Sequence, residues 1–262
     1  MTINSKLLLL RTKVRNNSKV IIDHIIQSQI ISKNNQANRN DGKEVCIFCG
    51  SLEQITKEHV IPRWTFEKCT EKYFITDVNG RRQTYNRTTV PACANCNNDL
   101  LGCLENYVTD LFKATDLSKS PFSNNEIQNI IRWLEIIEYK FQVLEVRRKF
   151  ISSKSNGYIP YLTDFPISII REKKGSSIKV VSEIRRSQKQ ITVKSKSRNT
   201  NSLVVFKTKN TSFYFFHNMN EFIFLELPRY KIALFYFFNK SFENEFDAYN
   251  TAMKIITDVY DS

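Results

Sequence analysis

No apolar run in this 262-residue sequence is long enough to cross a bilayer. The stretch Leu7–Leu10 is followed at once by Arg11, Lys13 and Arg15. A spanning helix needs about 20 apolar residues, and a secretory signal about 7–15. Neither is expected here, so the chain reads as an intracellular, cytoplasmic protein without a membrane partner. Internal repeats and low-complexity tracts are also missing, which leaves out solenoids and biased disordered segments. Histidine is scarce, with only His24, His59 and His217. Acidic residues are in deficit, 26 against 39 basic, for a formal charge of +13. That imbalance favours an anionic partner, nucleic acid or an acidic surface. An aromatic content of 12% rules out wholesale disorder.

What the sequence does contain is organised in blocks. Residues 1–34 carry apolar positions at helical spacing, with Asn16-Asn17-Ser18 as a point where two helices could part. The Asn-rich stretch from Lys33 to Gly42 reads as a linker. After a cysteine-bearing segment, Ser123-Asn124-Asn125-Glu126 has the form of a capping box. Behind it Ile127, Ile130, Leu134, Ile137, Phe141 and Leu144 make one apolar stripe. From about residue 165, six segments rich in β-branched and aromatic residues read as strands, beginning with SIKVVSEI and KQITVKS. A last helix is expected near 243–260, with Phe246, Tyr249, Met253, Ile256 and Tyr260 on its buried side. The expected fold class is α+β. The expected division is a helical arm and linker over 1–42, a core over 43–118, and a helix plus β-rich part over 119–262.

Two pairs of cysteines share one spacing, Cys46-Ile-Phe-Cys49 and Cys93-Ala-Asn-Cys96. A C-x2-C pair on a tight turn aims two thiolates at one ion, and two pairs complete a tetrahedral zinc site. Gly50 eases the first turn. In a reducing compartment such pairs are expected to bind metal rather than form disulfides. Four sulfur ligands leave no open position, so this zinc is expected to be structural. Cys69 and Cys103 fall outside the frame.

Between the pairs lies Glu58-His59-Val60-Ile61-Pro62, and Asn97 directly follows the fourth cysteine. Taken together, these elements over about 46–105 resemble the zinc-bearing branch of the HNH, or ββα-metal, endonucleases. The resemblance implies a ββα-metal core that hydrolyses DNA, with RNA as the alternative substrate. It implies that Glu58 and Asn97 hold one catalytic Mg²⁺ or Mn²⁺ while His59 activates water. Glu58 stands where Asp is commoner, and Asn97 where many members have a second His. The family's middle Asn is assigned to Asn86, with Asn79 as the alternative. On chemical grounds, a histidine titrating near neutrality suits a general base, and an oxygen-bound divalent ion suits phosphate charge. On a regular strand Glu58 and His59 point to opposite faces, so a bulge or twist is expected to bring them to one site.

Arg63, Arg81 and Arg82 are candidate nucleic-acid contacts, and Arg185, Arg186, Lys189, Lys194, Lys196 and Arg198 form a basic, hairpin-like stretch. Trp64 and Phe213–Phe216 read as core. Glu105 reads as a surface or packing residue, and His24 and His217 as residues of packing or solvent. The rival readings are a non-catalytic zinc-knuckle module that binds nucleic acid, and a nuclease effector of a bacterial defence system or mobile element.

Overall fold

The computed structural model describes residues 2–34, 44–67, 69, 73–75, 82–85, 88–114, 122–150, 174–192 and 200–261. For residues 25–34, 73–75, 82–83, 145–150, 174–181 and 183 only the backbone is described. Asn79, Arg81, Asn86, Lys194, Lys196 and Arg198 lie outside the described residues, and of Arg82 only the backbone lies within them.

The architecture is α+β. Helix α1 (Ile3–Asn34) is continuous rather than split. Asn17 donates its amide to the Lys13 carbonyl at 2.9 Å and Ser18 donates to Gln188 Oε1. The polar stretch is therefore absorbed within the helix and by a neighbouring one. Leu7, Leu10, Val14, Ile21 and Ile22 are buried in the main core, so α1 is a wall of the protein and not a projecting arm.

Strand β1 (Ile55–His59) is followed by a single helical turn α2 (Arg63–Phe66), the hairpin of β2 (Tyr73–Ile75) and β3 (Arg82–Thr84), and β4 (Thr89–Cys93). β1 pairs antiparallel with β4, Ile55 opposite Cys93 and His59 opposite Thr89. A π-helical stretch, Asn95–Leu101, runs straight into α3 (Gly102–Ala114). The expected capping box is formed: the Ser123 backbone N–H donates to Glu126 at 2.7 Å, opening α4 (Asn124–Phe150). Helix α4 is not amphipathic. Every residue from Asn129 to Leu144 is buried, including Arg132, Glu135, Glu138, Lys140 and Gln142. A helix buried all round must find partners for its charges on several sides. Glu138 accepts the Asn220 N–H at 2.8 Å and Tyr139 donates to the Ile47 carbonyl.

Lys174–Thr192 is a helix, α5, and this corrects the two strands expected there. Among the described side chains Ile184, Ser187, Gln188 and Ile191 are its buried positions, a 3.6-residue stripe, and the helix packs on α1 and α4. Arg185, Arg186 and Lys189 lie on its exposed face, so the basic stretch begins on a helix and not in a hairpin.

The remaining four strands form as expected. β5 (Leu203–Lys207), β6 (Tyr214–Asn218), β7 (Phe222–Leu227) and β8 (Ile232–Phe237) make one antiparallel sheet in the order β5-β8-β7-β6. Period-2 alternation splits its side chains. Phe215, Ile223, Leu225, Ile232 and Leu234 enter the main core beneath α4, while Phe216, Phe224, Phe235 and Phe237 meet the last helix, α6 (Glu245–Tyr260). The buried face of α6 is Ala248 and Ala252. This corrects the aromatic face expected from sequence: Phe246 is 70% exposed, Tyr249 44% and Tyr260 46%. Alanines let the helix approach the sheet closely, and Phe246 is left outside. The rings of Tyr249 and Tyr260 lie against Phe206 and Tyr214 at 5.5 and 5.0 Å, and Ile256 packs on the sheet as expected. A single apolar core joins side chains from α1, the cysteine segment, α4 and the sheet.

Candidate metal centre

The first C-x2-C sits on a tight turn. The Gly50 N–H donates to the Cys46 carbonyl at 2.9 Å, and Cys46 N–H to the Ser51 carbonyl at 2.8 Å. Gly50 has φ +75°, a conformation other residues adopt only with strain, and a Cβ there would lie 3.5 Å from Val20 of α1. The second pair straddles the end of β4 and the start of the π-helical stretch. Ala94 N–H is tied to the Gln54 carbonyl at 2.9 Å, which fixes that turn beside β1.

The pairing of β1 with β4 brings the two pairs together. The four Sγ atoms of Cys46, Cys49, Cys93 and Cys96 lie within 4.8 Å of one another, with Cys49 and Cys93 3.6 Å apart. Tetrahedral zinc–thiolate geometry places sulfurs about 3.8 Å apart. Cys46, Cys93 and Cys96 are buried, Cys49 half-buried, and all are free thiols. The crowding splits their acidities. Hydrogen bonds from Cys46 and Cys96 pull Cys49 well below the usual thiol range, while contacts with Cys46 and Cys49 push Cys96 up. The four cysteines are arranged to bind one metal ion.

Beside this centre, Glu58 and His59 occupy the end of β1. The ladder with β4 is uninterrupted, Glu58 opposite Val90 and His59 opposite Thr89, so no bulge rotates one toward the other. Glu58 is buried, and His59 is half-buried with its ring 6.5 Å from Phe66. β1 ends at His59, and Pro62, at ψ 135°, is the N-cap residue of α2, where Arg63 is exposed. Trp64 is core, as expected, stacked on Trp133 with centroids 5.3 Å apart. Asn97 lies in the first turn of the helical segment after β4. Its Nδ2 donates to Thr56 Oγ1 at 2.9 Å. Thr56 and Glu58 share one face of β1, so Asn97 is tied to the strand on the side that carries Glu58.

Two residues outside the motif define the surroundings of Glu58. Lys140 of α4 donates its ammonium to Glu58 Oε1 and, at 3.0 Å, to the His59 carbonyl. Its Nζ is 3.7 Å from Glu105 Oε1. Burial pushes the Glu105 carboxyl up to about 7, the Lys140 charge pulls it down, and Glu58 pushes it up again. Glu105 is therefore an electrostatic partner within the site, where sequence reasoning treats it as surface or packing. Lys140 was missed because it lies 82 residues from Glu58. The only sequence signal was a lysine inside an apolar helix. His217, read from sequence as a residue of packing or solvent, has Nδ1 3.7 Å from the buried Glu138 and its ring 4.4 Å from Phe141. Among the described residues no second group of three or more His, Cys, Asp or Glu ligands converges.

The class defined by fold and site is an α+β protein with a four-cysteine metal-binding centre. Comparison of the chain with protein-family models, curated proteins and solved structures finds no match. No helix among the described residues is long and apolar enough to cross a membrane.

Proposed function

We propose that the chain is a metal-dependent HNH endonuclease that hydrolyses DNA phosphodiester bonds and carries one structural zinc on its four cysteines. One observation supports the reading above the rest. The strand bearing Glu58 and His59 pairs with the strand entering the second C-x2-C, and Asn97 after that pair bonds back to Thr56 on the first strand. Four thiolates are a donor set suited to zinc. They fill its coordination and leave chemistry to neighbouring residues.

Glu58 and Asn97 are the residues that would hold Mg²⁺ or Mn²⁺. Their donors are oxygens, which fit a hard divalent ion. Lys140 already donates to Oε1 of Glu58, so a bound cation would share this carboxylate with an ammonium group. A divalent ion held there would supply neutralisation of phosphate charge and stabilisation of the leaving oxygen. On this reading His59 would take the proton from the attacking water, which requires the substrate to reach round the strand end, since the unbroken ladder puts His59 and Glu58 on opposite faces of β1. Arg63 would meet a neighbouring phosphate, and the first turn containing Asn97 would attract an anion through its backbone N–H groups. The net charge of +13 supports a polyanionic substrate.

A second reading has its own observation. The Glu58–Lys140 pair is a neutralised, buried contact of the kind that braces a purely structural module. On that reading the protein binds nucleic acid without cutting it. Plasmid cleavage with Mg²⁺, with Mn²⁺ and with chelator separates the two. Metal-restored nicking or linearisation supports the nuclease, and salt-sensitive binding without cleavage supports the module.

A further inference from the structure

β5 is an edge strand of the four-stranded sheet, and among the described residues no strand pairs its outer side. The Thr208 N–H donates to the Lys231 carbonyl of the adjoining turn. By alternation Phe206 and Val204 direct their backbone groups inward to β8. Leu203, Val205 and Lys207 therefore direct theirs outward. A cavity of about 580 Å³ runs along this edge. Phe122 and Ile127 of the α4 end flank one side, and Phe246 and Tyr249 of α6 the other. The result is a groove along an edge that, among the described residues, no strand pairs, with the exposed rings of Phe246 and Tyr249 at its lip. Natural sheets seldom leave such an edge open.

The charges at the slot's two ends say what fits it. Lys207 is exposed at the C-terminal end of β5. Glu245 is exposed at the other end. Asn201 donates to the Glu243 carbonyl at 3.1 Å and Ser202 to the Lys240 carbonyl at 2.7 Å, which holds the start of α6 against the start of β5. We infer that a second copy of this chain docks here, its β5 adding antiparallel to β5 about a twofold axis at Val205, with each Lys207 meeting the Glu245 of the other copy. An isologous contact must be complementary to itself. This edge is: Val205 faces Val205, Leu203 faces Lys207, and about six backbone hydrogen bonds close the ladder. The twofold places both α6 helices on the same side of the joined sheet, so Phe246 and Tyr249 of each copy cover one another. The lining is mostly apolar, and its one ammonium, Lys207, is balanced by one carboxylate, Glu245, so it offers no net positive charge to a nucleic acid strand.

The test is sedimentation equilibrium of the full chain over a range of concentrations. The expected result is a reversible dimer of twice 30.8 kDa. Phe246→Glu changes an exposed residue, keeps the circular dichroism spectrum and raises the dimer Kd at least tenfold. Lys207→Glu weakens the dimer similarly, and adding Glu245→Lys to it restores affinity. A mass of 30.8 kDa at every concentration overturns the inference. So does a dimer indifferent to Phe246→Glu, or a double charge exchange no tighter than the single one.

Discussion

Lys140 stands between Glu58 and Glu105, bonded to the first and 3.7 Å from the second, with its own side chain only 1% exposed. One cation thus serves two carboxylates, and its partners lie on β1 and α3. Removing one member of a buried pair leaves an uncompensated charge and typically costs about 3–5 kcal/mol. Lys140→Met is expected to lose stability on that scale in urea titrations. Lys140→Met combined with Glu58→Gln is expected to recover part of it, because a neutral amide no longer needs a counter-ion. Equal losses in both variants contradict this account.

Glu105 makes stability depend on pH with a definite sign. Its carboxyl is raised from 4.5 to about 7 in the folded chain, mainly by burial. Between those values the native state holds more protons than the unfolded one, so this group's contribution is complete below about pH 4.5 and lost as pH rises through 7. Comparing unfolding midpoints of wild type and Glu105→Gln from pH 5 to 8 isolates it. The wild type should decline relative to the variant through this window and run parallel to it above.

The cysteine centre predicts one tightly held ion per chain. Elemental analysis of purified protein should find it at one equivalent. Cys93→Ser and prolonged chelation should each lower the thermal midpoint and unfold the core around β1 and β4. A zinc-free protein with the same midpoint would count against the site.

The proposed chemistry separates three substitutions. His59→Ala should slow cleavage by ~10²–10⁴-fold, with zinc content and DNA binding kept. Glu58→Ala and Asn97→Ala should raise the Mg²⁺ or Mn²⁺ concentration needed for cutting. Wild-type rates in His59→Ala would falsify the mechanism. An unchanged metal requirement in Asn97→Ala would remove that residue from the ligand set and leave the nuclease reading standing.

Legibility followed physics that is local in sequence. The cysteine frame could be read because spacing alone decides whether two thiols reach one ion. The capping box before α4 and the alternation in β6, β7 and β8 are likewise local. α5 was not legible, since two of the four buried positions among its described side chains, Ser187 and Gln188, are polar and Ile and Val nearby mimic a strand. The face of α6 was misread because side-chain size, and not only polarity, decides what a sheet accepts: Ala248 and Ala252 go in, Phe246 stays out. The surroundings of Glu58 were out of reach, because Lys140 arrives from a helix far along the chain.

Three consecutive residues of α4 bear on how the protein can be divided. Successive side chains on a helix diverge by about 100°. Glu138, Tyr139 and Lys140 accordingly reach three neighbours: the Asn220 N–H beside the C-terminal sheet, the Ile47 carbonyl inside the first cysteine turn, and Glu58 on β1. A fragment trimmed to 43–118 would keep every motif residue yet lose the groups that bond Ile47 and Glu58. Grafting this cysteine centre onto another scaffold therefore requires taking one turn of α4 with it.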